Sequence, residues 1–193
     1  MANSWVVEEK SRQAEWVTRM QEDRRIAESL SAKVQEAIDR TERLISLVPK
    51  DSMRWRPEIP AGGTEAIDIG HLLGHLLECI SGFCACFAQA FPLELTEAAS
   101  LRSLEVNHFC EASTALRQLS QYRDFIDRGF SLCSNEDLKR LIPTVFVPEG
   151  ETLMTLLLGN LEHLLNHKYQ LFFYLKLLGV TVGSADLYEF RGV

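Results

Sequence analysis

The sequence predicts an all-α protein, a four-helix bundle with an additional helical segment at its N-terminus. Three observations carry that prediction. Apolar residues recur at three- and four-residue steps over four long stretches, and prolines, glycines and short polar runs separate those stretches. A β-branched extended pattern appears once, in "IPTVFVPEGE", and has no second run of its kind to pair with. The chain has 193 residues, 46% hydrophobic and 24% charged, which is enough to bury one sizeable core.

The elements follow in chain order. Residues 4 to 26 read as a further helix, or as a broken extension of the next one, anchored by Trp5 and Trp16; we treat 1–26 as an N-terminal extension and 27–193 as the bundle. From Ala27 to Val48 the apolar positions Leu30, Val34, Ala37, Ile38, Leu44, Ile45 and Val48 describe an amphipathic helix, which Pro49 ends. Thr64, with Asp68 in the first turn, opens a second helix that runs to about Phe91 before Pro92. A third is expected from about Leu104 to Phe130. In "CSNEDLKRL", Ser134 or Asn135 can accept bonds from the free amides of a short following turn. The fourth long helix is expected over Glu151 to Leu178, ending at Gly179, and "VTVGSADLYEFRGV" is a tail able to form a short helix.

Composition excludes several functions. A net charge of −7 with no basic run argues against a nucleic-acid backbone as partner. No phosphate-cradling glycine motif is present. The apolar run from Ile69 to Phe91 approaches membrane-spanning length, but His71, His75, Glu78 and Gln89 interrupt it, so it reads as a buried bundle helix. The first residues lack a basic region followed by an apolar stretch, and a cytoplasmic location is expected. Five cysteines, Cys79, Cys84, Cys86, Cys110 and Cys133, form no C-x-x-C pair and read as free, small core residues.

The chemistry lies in the histidines. In "NLEHLLNHKYQLF", His163 and His167 are four apart and therefore neighbours on one helix face, within a seam of Asn160, Gln170 and Tyr174 beside a leucine stripe. The second helix carries a matching seam of Asp68, His71, His75, Glu78, Cys79, Gly82 and Cys86. A lone histidine on such a helix is most often a hydrogen-bonded core residue. Several imidazoles buried face to face leave unsatisfied nitrogens unless an ion joins them, and facing helices of bundles build metal sites in this way. The spacing matches the H-E-x-x-H protease signature, but Leu164 stands where the general base belongs, so that mechanism is lost. Glu78 and Glu162 read as supporting or solvated carboxylates. His108 has no partner in the pattern and reads as a surface or helix-start residue.

The phrases "RWRPEIPAGGTEAIDIGHLLGHLLECISGF" and "NLEHLLNHKYQLFFYLKLLG" resemble the DinB/YfiT-like superfamily over about Ala27 to Gly179. That resemblance implies a four-helix bundle whose metal ligands are His75, His163 and His167, with His71 the second choice for the second-helix ligand. It implies one divalent ion, zinc or nickel, held by three imidazoles with positions left open. It further implies a metal-dependent S-transferase, or a related hydrolase or isomerase, that uses a low-molecular-weight thiol on a small electrophile, and a homodimer. The other class is a non-catalytic metal-binding or structural bundle. No residue of the chain is assigned as a catalytic group, and Trp55, Tyr169 and Cys79 are the candidates for the pocket mouth.

Overall fold

The computed structural model describes residues 23–58, 66–144 and 147–189. Four long helices, α1 (Arg25–Ser46), α2 (Ile69–Ala90), α3 (Ala112–Leu132) and α4 (Leu153–Leu177), form a bundle, and a one-turn α5 (Ser184–Leu187) follows. Thr64 and most of the expected N-terminal helix lie outside the described residues.

Each helix follows from its pattern. On α1 the buried positions Ala27, Leu30, Val34, Ala37, Ile38, Leu44 and Ile45 form one stripe, and the charges point outward. Asp68 caps α2 rather than lying inside it, its carboxylate accepting the His71 amide at 2.9 Å. Most of α2 is buried, Leu72, Leu73, Leu76, Leu77, Ile80, Phe83 and Phe87 completely, each contributing about 1.5–3 kcal/mol of transfer free energy. Its membrane-like hydropathy therefore marks the central helix of the bundle. On α4, Thr152 accepts the Thr155 amide at 3.1 Å, and the far end closes at Gly179, whose φ of 78° suits glycine, with the Val180 amide bonded to Leu175.

Helix α2 packs against α3 and α4, and α1 packs against the same pair from across the bundle. Contacts descending α2 ascend α4: Cys86 meets Asn160, His75 meets His167, and the Ile67 carbonyl just before α2 meets Tyr174. The two helices are thus antiparallel, which brings the seams of both to one place. At the opposite ends of α1 and α3 the capping is mutual. Asn135 accepts the amides of Ile26 and Ala27, while the Arg24 guanidinium donates to the carbonyls of Phe130 and Ser131.

Several boundaries differ from the sequence reading. The third helix begins at Ala112, not Leu104; residues Thr96–Ser103 and Glu105–Asn107 are 3-10 turns laid across α2. The cause is tertiary. Asn107 is 1% exposed; its Nδ2 reaches the carbonyls of Leu101 and Arg102 at 2.9 and 3.0 Å, and its Oδ1 receives the Tyr122 hydroxyl at 2.7 Å. Those bonds compete with a continuous helix and win. Of the expected extended piece only the ends form strand, in the antiparallel pairing of Leu141–Ile142 with Glu151–Thr152; the described residues between them are turn and irregular backbone. Ser134 accepts from Asp137 as expected, whereas Asn135 caps α1 instead.

Two glycines test this packing. A Cβ on Gly74 would sit 2.5 Å from the His108 carbonyl carbon, which is backbone and cannot swing aside, whereas one on Gly159 would meet nothing within 4 Å. We predict that Gly74→Ala lowers stability by about 1–3 kcal/mol, and that Gly159→Ala, mid-helix and exposed, raises it by about 0.5–1 kcal/mol. Urea denaturation of both variants checks the signs; equal effects would mean that the turn over Gly74 is not fixed.

Candidate metal centre

The antiparallel register of α2 and α4 brings His75, His163 and His167 together, with one ring nitrogen of each inside a common span of 4.8 Å. The ring centroids are 4.9 Å apart for His75 and His163, 4.9 Å for His163 and His167, and 4.3 Å for His75 and His167. His75 and His167 are half-buried and His163 faces outward.

Neighbouring groups fix which nitrogens carry protons. Glu78, one turn beyond His75, lies 2.8 Å from its Nδ1, and because a carboxylate only accepts, that nitrogen is the N–H. The second chain of bonds starts from the Ile67 carbonyl, which also only accepts. Tyr174 therefore donates to it at 3.3 Å and receives the Gln170 amide at 3.0 Å. This turns the Gln170 oxygen toward His167 Nδ1, at 2.9 Å, as acceptor of its N–H. Both neutral rings consequently direct their unprotonated Nε2 atoms at each other, 3.1 Å apart. Two lone pairs cannot bond to one another; a proton on one ring or a metal cation between them removes the conflict, and the burial of His167 disfavours the proton.

Burial, reinforced by the repulsion that a protonated His75 would exert, holds the His163 imidazole below the usual histidine range. The same burial lowers His167 against the opposing pull of its bond to Gln170. Both shifts favour the neutral ligand form. A tetrahedral ion bonded to imidazole at about 2.0–2.1 Å separates its nitrogen ligands by about 3.3–3.4 Å, close to the observed Nε2 separation. The donor set therefore fits a divalent ion, and Glu78 and Gln170 are the outer hydrogen-bond partners that such ligands require.

His71 takes no part in this cluster. Its Nδ1 lies 2.7 Å from Asp68 Oδ1 and its ring packs edge-on against Phe109 at 5.1 Å, held by the cap that starts α2. It lines instead a cleft of about 390 Å³ beside the triad, together with Ile67, His75, Glu78, Asn107, His108 and His167. His108, which the pattern left isolated, is exposed but belongs to that wall because the 3-10 turns fold back onto Gly74. Trp55, Tyr169 and Cys79 are not among its lining residues; Trp55 packs edge-on against Tyr174 and braces the Gln170 relay.

The cysteines are free and buried. Burial pushes the thiols of Cys79, Cys84 and Cys110 up to about 12, and those of Cys86 and Cys133 up to about 11. Burial thus favours the protonated thiol over the reactive thiolate at all five positions. Cys79 and Cys86 share the histidine seam in sequence, but Cys86 faces the Asn160 amide at 3.4 Å.

No family model matches the sequence, and none of the curated proteins does. Among solved structures, the chain is similar to the crystal structure of a DinB-like protein, YjoA, from Bacillus subtilis. The two are 19% identical, the match covers 80% of this chain and 94% of that one, and the TM-score is 0.59. At that identity the likeness speaks for architecture, and it agrees with the helix order described above: the chain has a DinB-like fold.

Proposed function

We propose that His75, His163 and His167 hold one divalent metal ion, zinc or nickel, and that the adjoining cleft takes a small thiol for transfer to a small electrophile. The observation that carries the metal reading is the pair of Nε2 lone pairs facing each other at 3.1 Å, each enforced by a bond at the opposite nitrogen. When bound, an ion with three imidazole ligands and an open position acidifies a thiol placed there.

The chain supplies the rest. Glu78 and Gln170 orient the ligand rings, the Trp55 and Tyr174 contact fixes Gln170, and Ile67 gives the cleft an apolar wall. The cleft's volume of about 390 Å³ suits a small molecule rather than a polymer. All five cysteines are buried and protonated, which supports a nucleophile brought from outside the chain.

Cobalt-substituted protein tests the reading. Millimolar 2-mercaptoethanol is expected to produce a sulfur-to-metal charge-transfer band. His167→Ala removes it, and the double variant Cys79→Ser, Cys86→Ser keeps it. No spectral response in the metal-loaded protein would leave a non-catalytic metal-binding bundle as the better account.

A further inference from the structure

We propose that His71 is the proton acceptor for a thiol entering the cleft, with Asp68 as its positioning residue; the inference rests on the thiol reading given above. The doubled motif "GHLLGHLL" places two imidazoles one turn apart on α2, and only His75 joins the triad. The other is built differently. Asp68 Oδ1 accepts both the backbone amide of His71, at 2.9 Å, and its Nδ1, at 2.7 Å. The carboxylate cannot donate, so the Nδ1–H is assigned and Nε2 is left as a free lone pair on a ring that lines the cleft beside His75 and His167.

Asp68 is itself fixed. It serves as the α2 cap, and Arg54 approaches its other oxygen at 3.3 Å while lying over the Phe109 ring at 4.3 Å. Phe109 also packs edge-on against His71, so the imidazole is held from two sides. The charged and titratable groups that line the cleft are His71, Glu78, which is bonded to His75, the triad members His75 and His167, and His108, while Asp68 and its partner Arg54 hold His71 from outside that lining. Of these, His71 combines an orienting carboxylate with an Nε2 that has no partner among the described residues and about half of its side chain open to solvent. A base whose far nitrogen is held by a carboxylate is the arrangement by which enzymes take a proton from a nucleophile.

The step balances. The S–H bond of the entering thiol breaks, an N–H bond forms at His71 Nε2, the electron pair stays on sulfur, and the Asp68 carboxylate offsets the imidazolium charge. Transfer of that proton to the product side returns His71 to its starting state. His71 is thus more than a spare ligand, and its four-residue offset from His75 places base and metal ligand on one face.

The measurement is the rate at which the sulfur-to-metal charge-transfer band appears when cobalt-loaded full-length protein is mixed with 2-mercaptoethanol at pH 7.5, followed by stopped flow. His71→Gln is expected to slow the band by about 10²-fold or more with its final amplitude unchanged, and free imidazole added to that variant to restore the rate, which loss of a purely structural contact would not allow. Asp68→Asn retains an N-cap, since asparagine caps as well as aspartate, and its rate is expected to fall between the two. Equal rates in wild type and His71→Gln, or a slow variant that imidazole does not rescue, overturn the role of His71 and leave the thiol reading standing. Absence of the band in the wild-type protein overturns the thiol reading and this inference with it.

Discussion

Replacing His163 or His167 by alanine is expected to abolish divalent-metal binding, whereas His71→Ala leaves it largely intact. The contrast follows from geometry. The three triad nitrogens share a span of 4.8 Å, while the His71 ring is turned to Asp68 and Phe109. Removing even an outer hydrogen-bond partner of a metal ligand costs about 10–100-fold in affinity, so loss of one of three ligands is expected to exceed that range, and Glu78→Gln to fall within it. Elemental analysis of protein purified without an affinity tag and dialysed against metal-free buffer reads the result. Equal loss of metal from His71→Ala and His163→Ala would falsify the assignment of His75 as the α2 ligand.

The second large effect concerns stability. Asn107→Ala is expected to destabilise the fold by about 3 kcal/mol or more, because removing one partner from a buried network leaves the others unpaired at about 1–3 kcal/mol each. The side chain is almost fully buried, it ties down the carbonyls of Leu101 and Arg102, and it receives the hydroxyl of Tyr122 from α3. Tyr122 is completely buried, so its hydroxyl has no water to turn to, although it lies 3.1 Å from Leu101 O as an alternative acceptor. Asn107 also lines the cleft, and the variant is expected to loosen the wall that carries His108. Urea titration checks the magnitude, and a loss under about 1 kcal/mol would show that solvent reaches the network.

How much of this was legible in the sequence depends on whether the signal was local. The four long helices announce themselves because a 3.6-residue period survives along each of them, and the i, i+4 spacing of His163 and His167 fixes their shared face before any tertiary structure exists. Spacing alone could not separate His71 from His75, since both lie on one seam of α2. What separates them physically is Asp68, which is both N-cap and partner of the first imidazole, and Glu78, which is partner of the second. The equal three-residue steps from His75 to Glu78 and from His167 to Gln170 stand in the sequence without a meaning of their own, and only the register of α2 against α4 makes them paired outer contacts. The 3-10 turns between Thr96 and Asn107 were not legible at all. They have no period of their own and are shaped by Asn107, by Tyr122 on another helix, and by the bare backbone at Gly74. For the same reason His108 reads as isolated in the sequence and lines the cleft in the structure.

The mutual capping of α1 and α3 has a consequence for the order in which the chain is assembled. The first amides of α1 are satisfied by Asn135, 109 and 108 positions downstream, and the last carbonyls of α3 by Arg24, 107 and 106 positions upstream. Among the described residues, only the Phe130 carbonyl of these groups also has a partner nearby in the chain, the Cys133 amide at 3.2 Å. During synthesis α1 leaves the ribosome long before residue 135 exists, so its leading turn spends that interval frayed, and the contact that seals it must first meet the entropy of closing a loop more than a hundred residues long. Once closed, the two ends form one latch with two tongues: releasing Arg24 exposes carbonyls on α3, and releasing Asn135 exposes amides on α1, so fraying at one end weakens the other. The bundle is thereby sealed by contacts between segments more than a hundred residues apart, and opening there is tied to the cooperative unit as a whole rather than to the local turn.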